Sequence, residues 1–297
     1  MKSQAVQLSL FADYNDAPQR RRVVNVATVP QRSPFRYPGG KTWLVPIARQ
    51  WFAQAKPGAH LIEPFAGGGI IGLTAAAEYQ FERITLVERD DDMAAAWQTI
   101  LSGNCQWLME RIASFQPTAE NIRWAISRAA DGIKERGFAT IVRNRTNHGG
   151  ILADGAGMIR NGENGKGLGS RWYPATLNKR IDSISRMRHR IEFIHGDAFE
   201  VMEQYIDDTR ALFFIDPPYT VAGRRLYTHH AVNHHRIFEL VKQMRGHFML
   251  TYNDSPEVRN WAKTFGLPYT TVPMQTTHLR TKDELLISDS IDWIART

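Results

Sequence analysis

Residues 61–79, LIEPFAGGGIIGLTAAAEY, contain an apolar strand, a glycine-rich turn and an apolar helix in direct succession. The glycines at 67–69 allow the backbone to approach a bound ligand closely, and the helix N-terminus presents free N–H groups. The stretch lacks the Gly-Lys-Ser/Thr ending of a phosphate-binding loop and is not a strict Gly-x-Gly-x-x-Gly motif. Taken alone, it indicates only a tight strand–helix connection.

Short apolar runs alternate with helical stretches on both sides of this turn, from Phe35 onward. This alternation predicts a doubly wound α/β sheet, in which ligands bind outside the carboxyl ends of the strands. The expected strands are residues 61–65, 83–88, 191–195, 211–216, 247–252 and 284–288. The expected helices are residues 70–79, 91–102, 120–136, 175–190, 199–205, 232–245 and 256–265.

The interval 106–190 interrupts the alternation, because a glycine- and asparagine-rich stretch is followed there by a basic helix. We interpret it as a region inserted into an α/β domain formed by residues 34–105 and 191–297. Its basic face favours a role in reading DNA. Residues 1–33 show no sustained periodicity and are expected to form a flexible N-terminal tail.

Composition narrows the choice of partners and compartment. The formal charge of +7 and the sequence pI of about 9.6 suit a polyanionic partner. Cys105 is the only cysteine, so neither an internal disulfide nor a thiolate metal cluster can form. No apolar run approaches the roughly 20 residues that span a bilayer, and the first residues lack the pattern of a signal peptide. We expect a protein of the cytoplasm.

Glu88 ends the strand that follows the glycine turn, about twenty residues further on. An acid at the tip of this strand can accept hydrogen bonds from both ribose hydroxyls of an adenosine-containing ligand. Asp90 or Asp91 instead suits the N-cap or first turn of the next helix. The glycine turn and Glu88 together favour a nucleoside cofactor.

Residues 214–219, FIDPPY, are the most specific signal in the chain. Two prolines cannot continue a strand, so Asp216 is left at the carboxyl tip in a stiffened turn. Asp216 and the Pro217 carbonyl can accept both hydrogens of an amine, while Tyr219 stacks on the ring of a flat base. Pro218 completes this predicted catalytic loop.

At this point the sequence resembles the Dam-type (D12 class) adenine-N6 DNA methyltransferases. The resemblance covers nearly all of residues 35–290 and includes FRYPGGK at 35–41, the glycine turn, Glu88, HGDAF at 195–199, the DPPY loop and DELLI at 283–287. It implies a Rossmann-like methyltransferase sheet, mostly parallel with an antiparallel C-terminal strand. It also implies that residues 34–105 and 191–297 are the catalytic domain and that 106–190 is an inserted target-recognition region.

The resemblance implies S-adenosylmethionine as cofactor and a flipped-out adenine in double-stranded DNA as substrate. The implied cofactor-binding residues are Tyr37, Lys41, Glu63, Pro64, Phe65, Gly67, Gly69, Glu88, Asp197, Ala198 and Asp216. The implied location is a bacterial or phage-infected cytoplasm near the nucleoid, with a cognate restriction endonuclease as an open possibility. The insertion is shorter and richer in glycine than the family's helical recognition region, so the resemblance does not transfer a DNA target sequence.

Basic and histidine-rich segments are candidates for contacts with DNA or a metal ion. Arg143, Arg145, Arg171, Arg224 and Arg225 are candidates for DNA contacts, although exposed arginines are commonly just solvated. The histidines at 229, 230, 234 and 235 have few nearby carboxylates and no nearby cysteine, so we expect no metal site. A loop near the DNA backbone suits them better.

Residues 7–11, QLSLF, resemble the short peptide with which bacterial proteins dock on the DNA polymerase sliding clamp. Gln7 would bond at the rim of the clamp pocket, and Leu10 and Phe11 would fill it. A position in a flexible tail is typical of such peptides.

Three other functions remain open. The acceptor could be cytosine N4 or an adenine in RNA, although Asp rather than Ser before Pro-Pro-Tyr favours adenine in DNA. Protein glutamine methylation usually involves Asn at the first position of this loop, so Asp216 argues against it. An inactive DNA-binding relative is the third alternative, and intact Lys41, Glu88 and Asp216 argue against that.

Overall fold

A computed structural model of the chain describes residues 23–36, 39–79, 81–153, 155–162, 165–219, 232–275 and 281–294. Its centre is a seven-stranded sheet. The strands are β1 (His60–Glu63), β2 (Arg83–Glu88), β3 (Ile191–His195), β4 (Ala211–Ile215), β5 (His247–Asn253), β6 (Tyr269–Gln275) and β7 (Thr281–Ser288).

The strand order is β3-β2-β1-β4-β5-β7-β6. The pairings among the first five strands are parallel, with Ile62 of β1 opposite Thr85 of β2 and Phe213 of β4. Strand β7 runs antiparallel to both β5 and β6. The predicted fold class, a mostly parallel Rossmann-like sheet with an antiparallel C-terminal strand, is confirmed.

Helices cover both faces of the sheet. They are α1 (Val45–Phe52), α2 (Ile70–Glu78), α3 (Asp91–Leu101), α4 (Cys105–Ser114), α5 (Ala119–Ser127), α6 (Ile133–Thr146), α7 (Pro174–Met187), α8 (Ala198–Gln204), α9 (His234–Gln243) and α10 (Pro256–Thr264). Neighbouring strand residues point to opposite faces, so Phe214 packs in the cluster with α1–α7 and Phe213 in the cluster with α8–α10. The nearly continuous apolar character of β4 follows from this burial on both sides.

The interval 106–190 contributes helices to the first of these clusters. Phe138 of α6 and Leu177 of α7 are buried there together with Trp97 of α3. The helical material expected at 120–136 is present, but it is divided between two helices. Helix α5 ends at Ser127, a short 3-10 turn follows, and Gly132 with a φ of 133° separates it from α6. A residue with a side chain rarely adopts this φ, so the glycine marks the break.

Strand β6 was not expected from the sequence. Its residues include Pro273, which lacks the N–H needed in a central strand. The strand lies at the edge of the sheet, beside β7, where one side needs no ladder partner. The edge position explains why a proline-containing segment forms a strand here.

Helix α6 packs tightly against α3 at Gly137. A Cβ atom at this position would lie 2.5 Å from Thr99 Oγ1 and 2.7 Å from the Ala95 carbonyl oxygen. We expect Gly137→Ala to lower the free energy of unfolding by about 1–3 kcal/mol, because backbone must move to admit the methyl group. Denaturant unfolding measures this, with Gly103→Ala as control, since a Cβ there meets nothing within 4 Å. Equal stability of both variants would contradict the close packing.

Among the described residues, no helix is both long and apolar enough to cross a membrane.

Candidate active site

The carboxyl ends of the parallel strands surround a cavity of ≈ 660 Å³. This volume lies within the usual range for ligand pockets, roughly 300–1,000 Å³. The cavity brings together most residues that the sequence predicted, namely Lys41, Glu63, Pro64, Phe65, Gly67, Gly69, Glu88, Asp197, Ala198, Asp216 and Pro218. Tyr37 and Arg224 lie outside the described residues.

The glycine-rich turn between β1 and α2 forms one wall of the cavity. Gly67 and Gly69 have φ values of 48° and 61°, in the left-handed region that favours glycine. Trp97 packs behind the turn and donates from Nε1 to the Gly67 carbonyl at 2.9 Å. A Cβ on Gly69 would lie 2.9 Å from Trp97 Cζ2, so the turn requires glycine for both conformation and space.

Glu63 ends β1 and is buried at the cavity. Its Oε2 accepts a hydrogen bond from the Gly72 backbone N–H at 2.8 Å. Burial raises the pKa of its carboxyl to about 8. This carboxyl therefore ties the first turn of α2 to the end of β1.

Glu88 ends β2 and is held by three backbone N–H groups. Its Oε2 accepts from Gly67 at 3.1 Å, and its Oε1 accepts from Arg89 at 2.9 Å and Asp90 at 3.0 Å. Burial raises the pKa of the Glu88 carboxyl to about 7. Its place beside the glycine turn is the one expected for an acid that bonds ribose hydroxyls.

Asp197 follows β3 and caps helix α8. Its Oδ1 accepts from the Phe199 backbone N–H at 2.8 Å, and its Oδ2 lies 3.1 Å from Arg89 Nη1. The cap explains the position of this acid at the cavity wall. Ala198, the first residue of α8, also lines the cavity.

Asp216, which follows β4, lies at the centre of a polar cluster. Its Oδ1 is 2.8 Å from Lys41 Nζ, accepts a hydrogen bond from Thr251 Oγ1 at 2.8 Å and lies 3.3 Å from Tyr219 Oη. Lys41 is only 4% exposed and also donates to the Gly39 carbonyl at 3.0 Å. Oδ2 makes no hydrogen bond within the described part of the chain, so this oxygen is left for a ligand.

Glu284 of β7 completes this cluster. Its Oε2 accepts a hydrogen bond from Tyr219 Oη at 2.5 Å and lies 3.9 Å from Lys41 Nζ. Burial is the main cause that raises the pKa of the Glu284 carboxyl, and the Lys41 ammonium opposes it. The Tyr219 ring stacks on Tyr252 at 5.8 Å and has Lys41 Nζ 5.0 Å from its centroid. Stacking of Tyr219 on a base stays a prediction.

Sequence reasoning did not single out Thr251, Tyr252 or Glu284 as site residues. A carboxylate beside the apolar run of β7 was a usable signal for Glu284, because buried acids are rare unless they are paired. Thr251 carried no comparable signal. It comes beside Asp216 because β5 pairs with β4.

The predicted DNA-contacting arginines have different environments. Arg143 pairs with Asp92 and donates to the Leu152 carbonyl. Arg145 is 6% exposed and donates to the Pro34 carbonyl, and its contact with DNA stays a prediction. Arg171 lies with Arg145 at a second cavity.

Two of the four clustered histidines, at 229 and 230, lie outside the described residues. His234 Nδ1 is 2.8 Å from Tyr252 Oη, and burial lowers the pKa of this imidazole. His235 Nδ1 lies 3.3 Å from Glu239 Oε1 on α9. No group of three or more His, Cys, Asp or Glu side chains in the described segments is arranged to hold a metal ion.

Two comparisons relate this chain to known methyltransferases. Residues 155–275 match the family model for D12 class N6 adenine-specific DNA methyltransferases. The type II methyltransferase M.MjaIII of Methanocaldococcus jannaschii is 22% identical over 205 residues, which cover 63% of this chain and 68% of that protein. The resemblance predicted from the sequence is confirmed.

Solved structures with partial likeness to this chain include two methyltransferases. Precorrin-6y C5,15-methyltransferase from Geobacter metallireducens aligns with a TM-score of 0.38 and 9% identity over 82% of this chain and 86% of that one. The SAM-dependent methyltransferase from Agrobacterium tumefaciens aligns with a TM-score of 0.37 and 11% identity over 84% of this chain and 60% of that one.

Proposed function

We propose that this S-adenosylmethionine-dependent methyltransferase is a site-specific DNA methyltransferase that modifies N6 of an adenine flipped out of the duplex. The observation that carries the proposal is Asp216. Its Oδ1 is fixed by Lys41, Thr251 and Tyr219, while Oδ2 is left without a hydrogen bond among the described residues. The match to an adenine-specific family and the net charge of +7 support a DNA substrate.

The amine of adenine is a poor nucleophile because its lone pair is delocalised into the ring. Asp216 and the Pro217 carbonyl would each accept one amine hydrogen, which localises the lone pair on nitrogen. S-adenosylmethionine supplies the methyl group as an electrophilic sulfonium. The proton that the amine then loses passes to Asp216 Oδ2 or to water, and positioning supplies most of the rate.

Lys41 positions this carboxylate for that role. Its ammonium offsets the negative charges of Asp216 and Glu284, which lie at 2.8 and 3.9 Å. Because Lys41 also lines the cavity, it sets the electrostatic environment of both the amine and the cofactor.

The cavity wall suits the adenosyl part of the cofactor. The glycine turn leaves backbone within reach of a ligand, and Glu88 is placed to accept both ribose hydroxyls. Pro64, Phe65, Asp197 and Ala198 would line the adenine side, and Tyr37 is assigned on the resemblance alone.

The pH dependence of cofactor binding tests Glu88. Only the ionised carboxyl accepts from both ribose hydroxyls, and its pKa is raised to about 7. We therefore expect the affinity for S-adenosylmethionine to fall as pH decreases from 8 to 6, by up to about tenfold per pH unit below that pKa. Calorimetric titration measures this, and in Glu88→Gln the affinity should be weaker and independent of pH over this range. An equal pH dependence in both proteins would contradict the assignment.

DNA recognition is assigned to the interval 106–190 together with its basic helix α7. Extruding the adenine costs a few kcal/mol of unstacking, which contacts to the base and backbone offset. The location in a bacterial or phage-infected cytoplasm and a partner restriction endonuclease belong to the same proposal.

Modification-sensitive sequencing of DNA from cells that express the chain tests the proposed reaction. We expect N6-methyladenine in one sequence context, and no mark in cells that express Asp216→Ala. N4-methylcytosine in that context would overturn the assignment of the base. Unmodified DNA, combined with labelled methyl transfer to RNA by the purified protein, would overturn the assignment of the substrate.

The N-terminal peptide 7–11 is proposed to bind the DNA polymerase sliding clamp, and it lies outside the described residues. Replacing Leu10 and Phe11 together with alanine should abolish retention of the protein on immobilised clamp, because these side chains fill the apolar pocket. Methyl transfer to short duplexes should not change. Undiminished retention, or none for the unaltered protein, would contradict the proposal.

A further inference from the structure

A second cavity of ≈ 330 Å³ lies beside the cofactor cavity. Among the described residues, its lining consists of Arg36, Arg145, Arg171, Tyr173, Thr176, Leu177 and Arg180, none of them acidic. Arg36 and Arg180 line the larger cavity as well. The two cavities are therefore neighbours that share these guanidinium groups, and the smaller one is called the arginine pocket below.

Two guanidinium groups of this pocket donate to neutral backbone carbonyls. Arg145 donates to the Pro34 carbonyl, and Arg180 Nη1 donates to the Ser33 carbonyl at 2.9 Å. Burial, with repulsion from Arg180 as a smaller cause, lowers the pKa of Arg145 to about 10. No described carboxylate forms an ion pair with Arg36, Arg145 or Arg180. Clustering these cations without a counter-charge costs free energy that an anion would recover.

Two of the arginines that line this pocket also have unused hydrogen-bond donors. Arg145 Nε and Arg36 Nη1 are buried and have no hydrogen-bond partner among the described residues. Buried donors of this kind are rare unless a ligand or water satisfies them. Helix α7 begins at the same pocket with Pro174, and the preceding Tyr173 provides no side-chain cap. The positive end of this 14-residue helix adds to the favourable potential for an anion.

We infer that the arginine pocket binds one phosphate of the DNA backbone, close to the nucleotide whose base enters the larger cavity. The inference rests on the proposed function and adds a backbone contact to it. Guanidinium groups suit phosphate because their paired N–H donors match its oxygens, and several can share one group. The shared lining by Arg36 and Arg180 places such a phosphate on the strand that delivers the base. This contact would set the register of the strand in the site.

The salt dependence of DNA binding tests the contact. In Arg180→Gln, the slope of log affinity against log salt should be less steep by about 1 than in the unaltered protein, since one phosphate contact is lost. Arg210→Gln is the matched control. It removes the same charge from the residue just before the amino end of β4, whereas the cavities lie at the carboxyl ends of the strands. Arg180→Lys should retain the slope, because it keeps the charge.

Phosphate-by-phosphate substitution locates the contact. Duplexes with a single neutral methylphosphonate near the target adenine should show one linkage that weakens binding of the unaltered protein. The same linkage should have no effect on Arg180→Gln. Equal slopes and equal methylphosphonate profiles in the two proteins would overturn the inference.

Two further measurements distinguish a DNA phosphate from other occupants of the arginine pocket. If Arg180→Gln weakens binding of S-adenosylmethionine and leaves the DNA slope unchanged, the pocket serves the cofactor and the inference is wrong. If inorganic phosphate raises the melting temperature of the unaltered protein only, again with unchanged slopes, the pocket binds free phosphate and the DNA contact is overturned. These are binding measurements, so a failure to methylate DNA would remove the proposed function while leaving the slope difference in place.

Discussion

Replacing Asp216 with alanine should reduce methyl transfer by about 10³-fold or more, while DNA still binds and S-adenosylmethionine binds more weakly. In the proposed mechanism this carboxylate is the acceptor for the amine hydrogen. Lys41 and Thr251 are donors that now direct their hydrogens at Asp216 Oδ1. Single-turnover transfer of a labelled methyl group measures the rate, and calorimetry and DNA titration measure the two affinities.

Asp216→Asn refines this experiment. The amide retains the shape and can still accept through its oxygen, yet it lacks the charge that pairs with Lys41 and cannot take up the proton. We expect it to be impaired almost as severely as the alanine variant. Asp208→Ala is the control. It removes a carboxylate from the turn before the amino end of β4 and should leave the rate unchanged. Turnover near the normal rate in either Asp216 variant would rule out the proposed mechanism.

Lys41→Met should cause the second-largest loss, about 10²-fold or more in methyl transfer. It removes the cation between Asp216 and Glu284, which leaves two acids close together in a largely buried site. Without the ammonium, burial and repulsion from Asp216 should raise the pKa of Glu284 further. The free energy of unfolding should fall by about 3 kcal/mol, as expected when one partner of a buried pair is removed.

A double variant separates stability from catalysis. Adding Glu284→Gln to Lys41→Met removes one of the repelling acids, so part of the lost stability should return while methyl transfer stays low. Lys56→Met is the matched control, because Lys56 is exposed and distant in sequence from the cluster. Denaturant unfolding and single-turnover rates provide the two readouts. A normal rate in Lys41→Met would show that the ammonium does not position Asp216.

The loop at residues 214–219 was the part of the candidate site most accessible to sequence reasoning. Residues 214–219 combine an apolar strand, an acid and two prolines, and local chemistry alone places Asp216 at the strand tip. The glycine turn and Glu88 were predictable for the same reason, since each motif includes the end of its own strand. Where a capping residue or a proline marks the end of a helix, the predicted and observed ends agree to within about two residues.

The contacts of these residues depend on chain pairing that has no local signature. Thr251 reaches Asp216 because β5 pairs with β4, and Glu284 reaches Tyr219 because β7 is antiparallel beside β5. The burial of Arg145, which is 6% exposed, likewise has no local signature in the sequence.

The sequence by itself determined the alternating α/β class, the strand tips that carry the glycine turn, Glu88 and Asp216, and the resemblance that these motifs carry. Those features follow from periodicity and turn chemistry, which act over a few neighbouring residues. Only the tertiary structure decided that Lys41, Thr251 and Glu284 share one cluster and that Arg36, Arg145 and Arg180 line one pocket. Both sets join residues far apart in the chain, and their proximity depends on strand order and helix packing.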